Sequence, residues 1–95
     1  MTFQTAFPDF PADDMPATPE GFADISWHND CCPSFEHPEG YRLFIDYKDR
    51  TRREFPDSEG RFTLYPLNED GEQGAELVAT ESWNEMLSEI LDRIS

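Results

Sequence analysis

Ninety-five residues carrying eight Phe, three Tyr and two Trp suffice for one small domain and are too aromatic for a disordered acidic tail. The formal charge of −14 repels nucleic acid and anionic membranes and favours basic partners. No phosphate-binding glycine loop, H-E-x-x-H, G-x-S-x-G or calcium-loop pattern occurs in the chain, so neither an enzyme nor a cofactor is expected.

The charge is uneven. Residues 1 to 41 hold eight carboxylates and no Lys or Arg, and residues 42 to 61 hold six of the seven basic residues. Residues 62 to 95 set eight acids against Arg93. The opening "MTFQTAFPDFPADD" has no basic n-region and no continuous apolar h-region, and no apolar run reaches membrane-helix length. The expected location is therefore the cytoplasm, with Cys31 and Cys32 reduced.

Residues 1–21 are punctuated by Pro8, Pro11, Pro16 and Pro19, which disfavours regular structure. Phe3, Phe7 and Phe10 are not linker residues, so this stretch reads as an extended, Pro-rich acidic arm whose aromatics dock onto a domain spanning 22–95. "FADISW" at 22–27 alternates as a short strand, and "YRLFIDY" at 41–47 does so more clearly. Tyr41, Leu43, Ile45 and Tyr47 share one face of that strand, leaving Arg42, Phe44 and Asp46 on the other. "KDRTRR" reads as a turn and the start of a return strand ending near Phe55. Asp57, Glu59 and Gly60 then read as a turn. "RFTLYPL" at 61–67 is a further strand, with Pro66 marking an edge or its end. "NEDGEQG" is an acidic turn, and "AELVA" at 75–79 is one more short strand.

"TESWNEMLSEILDRIS" is the clearest element. Trp83, Met86, Leu87, Ile90, Leu91 and Ile94 form one helical stripe. Thr80 can cap it, or Ser82 with Glu85 as a capping box. The expected fold is α+β, a three- to four-stranded antiparallel sheet covered by this helix. Its core would set Trp83, Leu87, Ile90 and Leu91 against Leu43, Ile45 and Leu64.

"WHNDCCPSFEH" at 27–37 gathers His28, Cys31, Cys32 and His37. Adjacent cysteines are poorly placed to share one tetrahedral zinc, and no distant second ligand pair exists, so no metal site is expected. Asp30 and Glu36 would raise a thiol pKa, which opposes a nucleophile. The preferred reading is a loop: Trp27, one cysteine and Phe35 plug the core, while Asn29, Asp30 and Ser34 hold turns.

The basic run Lys48, Arg50, Arg52 and Arg53 reads as an internal partner for the acidic ends rather than a nucleic-acid contact. On the terminal helix, Glu81, Glu85, Glu89 and Asp92 recur at i, i+4, i+8 and i+11. Carboxylates four residues apart then lie about 6 Å apart along the axis, close to the roughly 6 to 7 Å between neighbouring phosphates of a strand. Glu69, Asp70 and Glu72 of the acidic turn are the next candidates for partner binding.

In size, acidity, single-domain layout and absence of catalytic motifs, the chain resembles the small acidic inhibitors of phages and mobile elements, the anti-CRISPR and anti-restriction proteins. The resemblance implies a non-enzymatic DNA mimic, a monomer or homodimer that binds a basic nucleic-acid-binding protein and not nucleic acid itself. Such a protein would act in the host cytoplasm if phage-encoded. Two alternatives stand beside it. One is an accessory or immunity-type module anchored by Phe3, Phe7 and Phe10. The other is a small zinc protein built on His28, Cys31, Cys32 and His37.

Overall fold

The structure is a computed structural model and describes residues 2–54 and 60–94. Its centre is an antiparallel sheet of five strands: β1 (Ala23–Asp24), β2 (Ser34–His37), β3 (Tyr41–Ile45), β4 (Phe62–Pro66) and β5 (Val78–Thr80). They lie in chain order, each bonded to its neighbour in sequence. The fold is α+β as expected, with five strands rather than three or four. "FADISW" keeps only two strand residues because side chains take over its bonding. Asp24 Oδ1 accepts the Ser26 N–H at 3.0 Å, and Ser26 Oγ accepts the Ser34 N–H at 3.1 Å.

Pairing fixes which side chains share a face. Phe35 lies opposite Leu43, Leu43 opposite Leu64, and Leu64 opposite Val78, while Ile45 faces Phe62. With a side-chain period of two, this set forms one apolar face. Phe35, Leu43, Ile45, Phe62 and Leu64 are all fully buried there. β2 and β3 are joined by a tight turn in which the Gly40 N–H bonds to His37 O at 3.0 Å, and Gly40 takes a φ of +97° that disfavours a side chain.

Helix α2 (Trp83–Ile94) covers the β4–β5 side of this face. Ser82 caps it, its Oγ accepting the Glu85 N–H at 3.2 Å, whereas Thr80 Oγ1 accepts the Ser82 N–H at 3.0 Å. The cap is thus Ser82, with Thr80 holding the turn before it. Met86 is completely buried and Ile90 nearly so, and the Trp83 ring rests 5.0 Å from Phe62. The apolar stripe is wider than the contact: Leu91 is 63% exposed and Leu87 only half-buried, so neither belongs to the core as expected. Met86, the residue at the centre of the stripe, takes their place.

The amino-terminal segment covers the rest of the apolar face. It is not extended throughout: α1 (Phe3–Ala6) and a 3-10 turn at Ala12–Asp14 interrupt it. Ala6, Phe7, Phe10 and Phe22 enter the same core as the sheet, with Phe3 and Met15 packed against it. Phe10 lies 4.9 Å from Tyr47 and 5.8 Å from Phe3. Asp24 Oδ2 accepts the Phe3 N–H at 2.7 Å, which satisfies a donor at the start of α1.

Other expectations shift by small amounts. Arg50–Arg52 is a 3-10 turn capped by Asp49 rather than the start of a strand. Its proposed end at Phe55, and Asp57 and Glu59 of the following turn, lie outside the described residues. The last strand begins at Val78 instead of Ala75. Pro66 ends β4, which is an interior strand. In the 68–74 turn, Asn68 Oδ1 accepts the Asp70 and Glu72 N–H groups at 2.9 and 2.8 Å. Among the described residues no helix is long and apolar enough to cross a membrane.

Candidate functional site

The basic run serves the protein's own fold. Arg53 is buried, its side chain 1% exposed. Its Nε donates to Tyr47 O at 2.6 Å, Nη2 to Lys48 O at 3.3 Å, and the guanidinium grips Glu81 through two bonds of 2.8 and 3.1 Å. Arg50 adds a 3.5 Å ion pair to the same carboxylate. Arg52 reaches the amino-terminal segment, donating to Asp9 O at 3.1 Å with the Asp9 carboxylate 3.7 Å away. Asp9 also accepts the Tyr47 hydroxyl proton at 2.8 Å, and burial with this bond raises the Tyr47 pKa well above its ordinary value. One short loop thus ties both acidic ends to the sheet, as its position in the sequence led us to expect.

That arrangement sorts the acidic candidates. Glu81 precedes α2 rather than lying on it, and the Arg53 bond holds its pKa below the usual carboxylate range. It is a structural carboxylate. Glu89 pairs with Arg93 at 3.4 Å, one turn along α2. Glu85 and Asp92 are exposed on α2, and Glu69, Asp70 and Glu72 are exposed in the turn. None of these five has an ion pair among the described residues.

Among the described residues no helix lies on the second face of the sheet. Ser34, Phe44, Thr63 and Ala79 run across it in one row, and Glu36, Arg42 and Tyr65 in the next. With the 27–32 loop this face forms an open groove of about 850 Å³. Phe44 and Tyr65 meet edge to face at 5.6 Å, and Trp27 stands at the rim, 48% exposed. Trp27 therefore does not plug the core as expected. Asp46 projects into the groove half-buried, and desolvation raises its pKa. Two arginines also line it, both engaged with the protein. Arg42 bonds Glu36 at 3.2 Å and Gln73 at 3.5 Å, its Nε buried without an acceptor. Arg61 donates to the main-chain carbonyls of Asp46 and Asp14 and lies 4.8 Å over the Phe62 ring.

The "WHNDCCPSFEH" residues are split between the two sides of the sheet. Cys31 and Cys32 border the groove, with their sulfurs 3.7 Å apart. His37 is buried on the opposite side against Phe22 and Gly21, its Nδ1 accepting the Glu39 N–H. His28 stacks on Trp27 at 4.5 Å. Among the described residues, no three His, Cys, Asp or Glu side chains are grouped to hold a metal ion. Ser34 lies in β2 rather than in a turn, while Cys32 and Phe35 are buried as expected. Buried Cys32 follows expectation, its pKa raised by the contact with Cys31 and by burial, with Asp30 adding to the rise, whereas the same contact lowers the pKa of exposed Cys31. Asp46 and Glu54 oppose the lowering at Cys31, rather than Asp30 and Glu36.

Sequence reasoning missed the groove, although it had placed Arg42, Phe44 and Asp46 together on the second face of β3. An apolar Phe44 at a supposedly solvated position was the available signal. No protein-family model, curated protein or solved structure matches the chain.

Proposed function

We propose that the protein is a non-enzymatic acidic inhibitor of the anti-CRISPR or anti-restriction kind. It would act in the cytoplasm by occupying the basic, nucleic-acid-binding surface of a defence or nucleic-acid-processing protein. The observation that carries this reading is where the arginines go. Arg42, Arg50, Arg52, Arg53 and Arg93 each pair with a carboxylate of the protein, and Arg61 is spent on main-chain carbonyls. Exposed Lys48 has no carboxylate partner among the described residues, and apart from it the outward field is carried by carboxylates without cations, which is how a polyanion presents itself to a basic groove. Glu85 and Asp92 on α2, with Glu69, Asp70 and Glu72, are the favoured phosphate substitutes, and Glu89 joins them when Arg93 releases it. The aromatic-anchor alternative loses its anchors, since Phe7 and Phe10 are buried in the core and Phe3 packs on it.

Immobilised protein exposed to a lysate of its native host tests the reading. A retained nucleic-acid-binding protein should be released by added duplex DNA, and also by salt, because each mimicked phosphate contact is screened. Retention that survives both eluents refutes mimicry. The double variant Glu85→Lys, Asp92→Lys should release its partner at lower salt than the corresponding Gln exchange, since reversal adds repulsion to lost attraction. Circular dichroism of both variants should match the parent, because Lys and Gln are good helix formers.

A further inference from the structure

We propose that the open groove on the second sheet face, which no described helix covers, seats an arginine side chain from an extended segment of the basic partner. Asp46 is the centre of the argument. It is half-buried, its Oδ1 accepts only the Tyr47 N–H at 2.8 Å, and it makes no ion pair among the described residues. The nearest cations are committed elsewhere: Arg61 bonds the Asp46 main-chain oxygen rather than its carboxylate, and Arg53 bonds Glu81. A partly desolvated carboxylate without a direct ion pair gains from an incoming cation, which restores interactions that burial removed and that the nearby Arg53 and Arg61 only partly replace.

The surroundings select the cation's shape. Phe44, Tyr65 and Trp27 offer aromatic surface along the groove, and a planar guanidinium stacks on such rings better than an ammonium does. Asp30, Glu54 and Glu76 complete an acidic lining that outnumbers Arg42 and Arg61. At about 850 Å³ the groove exceeds one side chain and admits a few residues of the segment that carries it. Charge complementarity therefore commits the occupant to a basic peptide segment.

The inference rests on the acidic-inhibitor reading for the partner's basicity, but it uses a different surface from α2 and the 68–74 turn. Amide and indole NMR shifts of the full ¹⁵N-labelled chain separate the two. The probes are a Gly/Ser octapeptide with two arginines and its citrulline counterpart, which keeps the shape and removes the charge. The arginine peptide should shift the Trp27 indole N–H and the Phe44, Asp46 and Tyr65 amides. Its affinity should fall about tenfold with citrulline or in Asp46→Asn, the loss of one charge-assisted contact. Asn can still accept the Tyr47 N–H, so the fold is retained. Trp27→Leu, on an exposed side chain, should weaken binding independently. Equal binding of the citrulline peptide, or no groove shift with either peptide, overturns the inference. Shifts confined to Glu85, Asp92 and the 68–74 turn overturn it while leaving the acidic-surface reading intact. Groove binding combined with retention that neither duplex DNA nor salt reverses sinks the inhibitor reading and keeps the groove.

Discussion

Replacing Arg53 with Met retains most of the buried aliphatic length and removes every polar contact of the guanidinium. Four hydrogen bonds go: one to Tyr47 O, one to Lys48 O and two to Glu81. Breaking a buried ion pair typically costs about 3 to 5 kcal/mol, most of it from the charge left behind without a partner. Here the charge left behind is Glu81, whose side chain is 40% exposed and rehydrates, so the carboxylate's share is small. What remains is the loss of charged donors to the buried carbonyls, about 1.5 to 3 kcal/mol. We therefore expect Arg53→Met to cost about 2 kcal/mol. With a urea slope of about 1 to 1.5 kcal/mol/M for a domain of this size, the midpoint falls by about 1.3 to 2 M. Urea titrations followed by circular dichroism and tryptophan fluorescence measure it, and an unchanged slope shows that only stability moved. A midpoint within about 0.3 M of the parent refutes the claim that this arginine holds the loop. The acid limb adds a check of sign. The folded-state pKa of Glu81 lies below its unfolded value, so the pair's contribution is complete above the unfolded pKa and drains as pH falls through the folded one. The gap between parent and variant should narrow below about pH 4.

Met86→Ala should cost about 2 to 5 kcal/mol in the same assay, and Leu91→Ala less than about 0.5, although both lie on the same helical stripe. Asp46→Asn should raise stability at neutral pH: its folded pKa is raised, so folding favours the protonated acid and that preference is lost as pH rises through the folded value. The parent should therefore approach the variant in stability as pH falls toward the carboxylate range. Gly21→Ala should destabilise by more than about 1 kcal/mol, since Gly21 has a φ of +86° and a Cβ there would meet the His37 ring.

The elements written as periodicities were the legible ones. Trp83 to Ile94 carries one helical repeat and stands where expected, and the Tyr41 to Tyr47 alternation gives a strand that starts where expected and ends early, at Ile45. Periodicity says which side of a helix is apolar but not how much of that side finds a partner. The stripe carries both Met86 and Leu91, and nothing in the periodicity says that Met86 is the buried one and Leu91 the exposed one. The run Lys48 to Arg53 was legible through charge, because four bases between two acidic ends have an evident use. That Arg53 is the buried member was not, since its burial depends on Tyr47 and Lys48 turning their carbonyls toward it. The groove was hidden for a related reason: Phe44, Tyr65 and Trp27 come from separate strands and a loop, and only the strand register makes them neighbours.

The sheet's ordering has a consequence for how the chain acquires its structure. Every strand pairs with its neighbour in sequence, so the sheet can zip hairpin by hairpin at small loop-closure cost. The contacts of the first fifteen residues are of another kind: Asp9 with Tyr47, Arg52 with the Asp9 carbonyl and Arg61 with the Asp14 carbonyl span 38, 43 and 47 positions. Most of what this amino-terminal segment docks on thus exists only once β3 and β4 have formed, and it should join after the folding barrier is crossed. Truncating Phe10 would then leave the refolding rate almost untouched and accelerate unfolding. The amino-terminal aromatics would set how long the native state lasts, while the hairpins set how soon it forms.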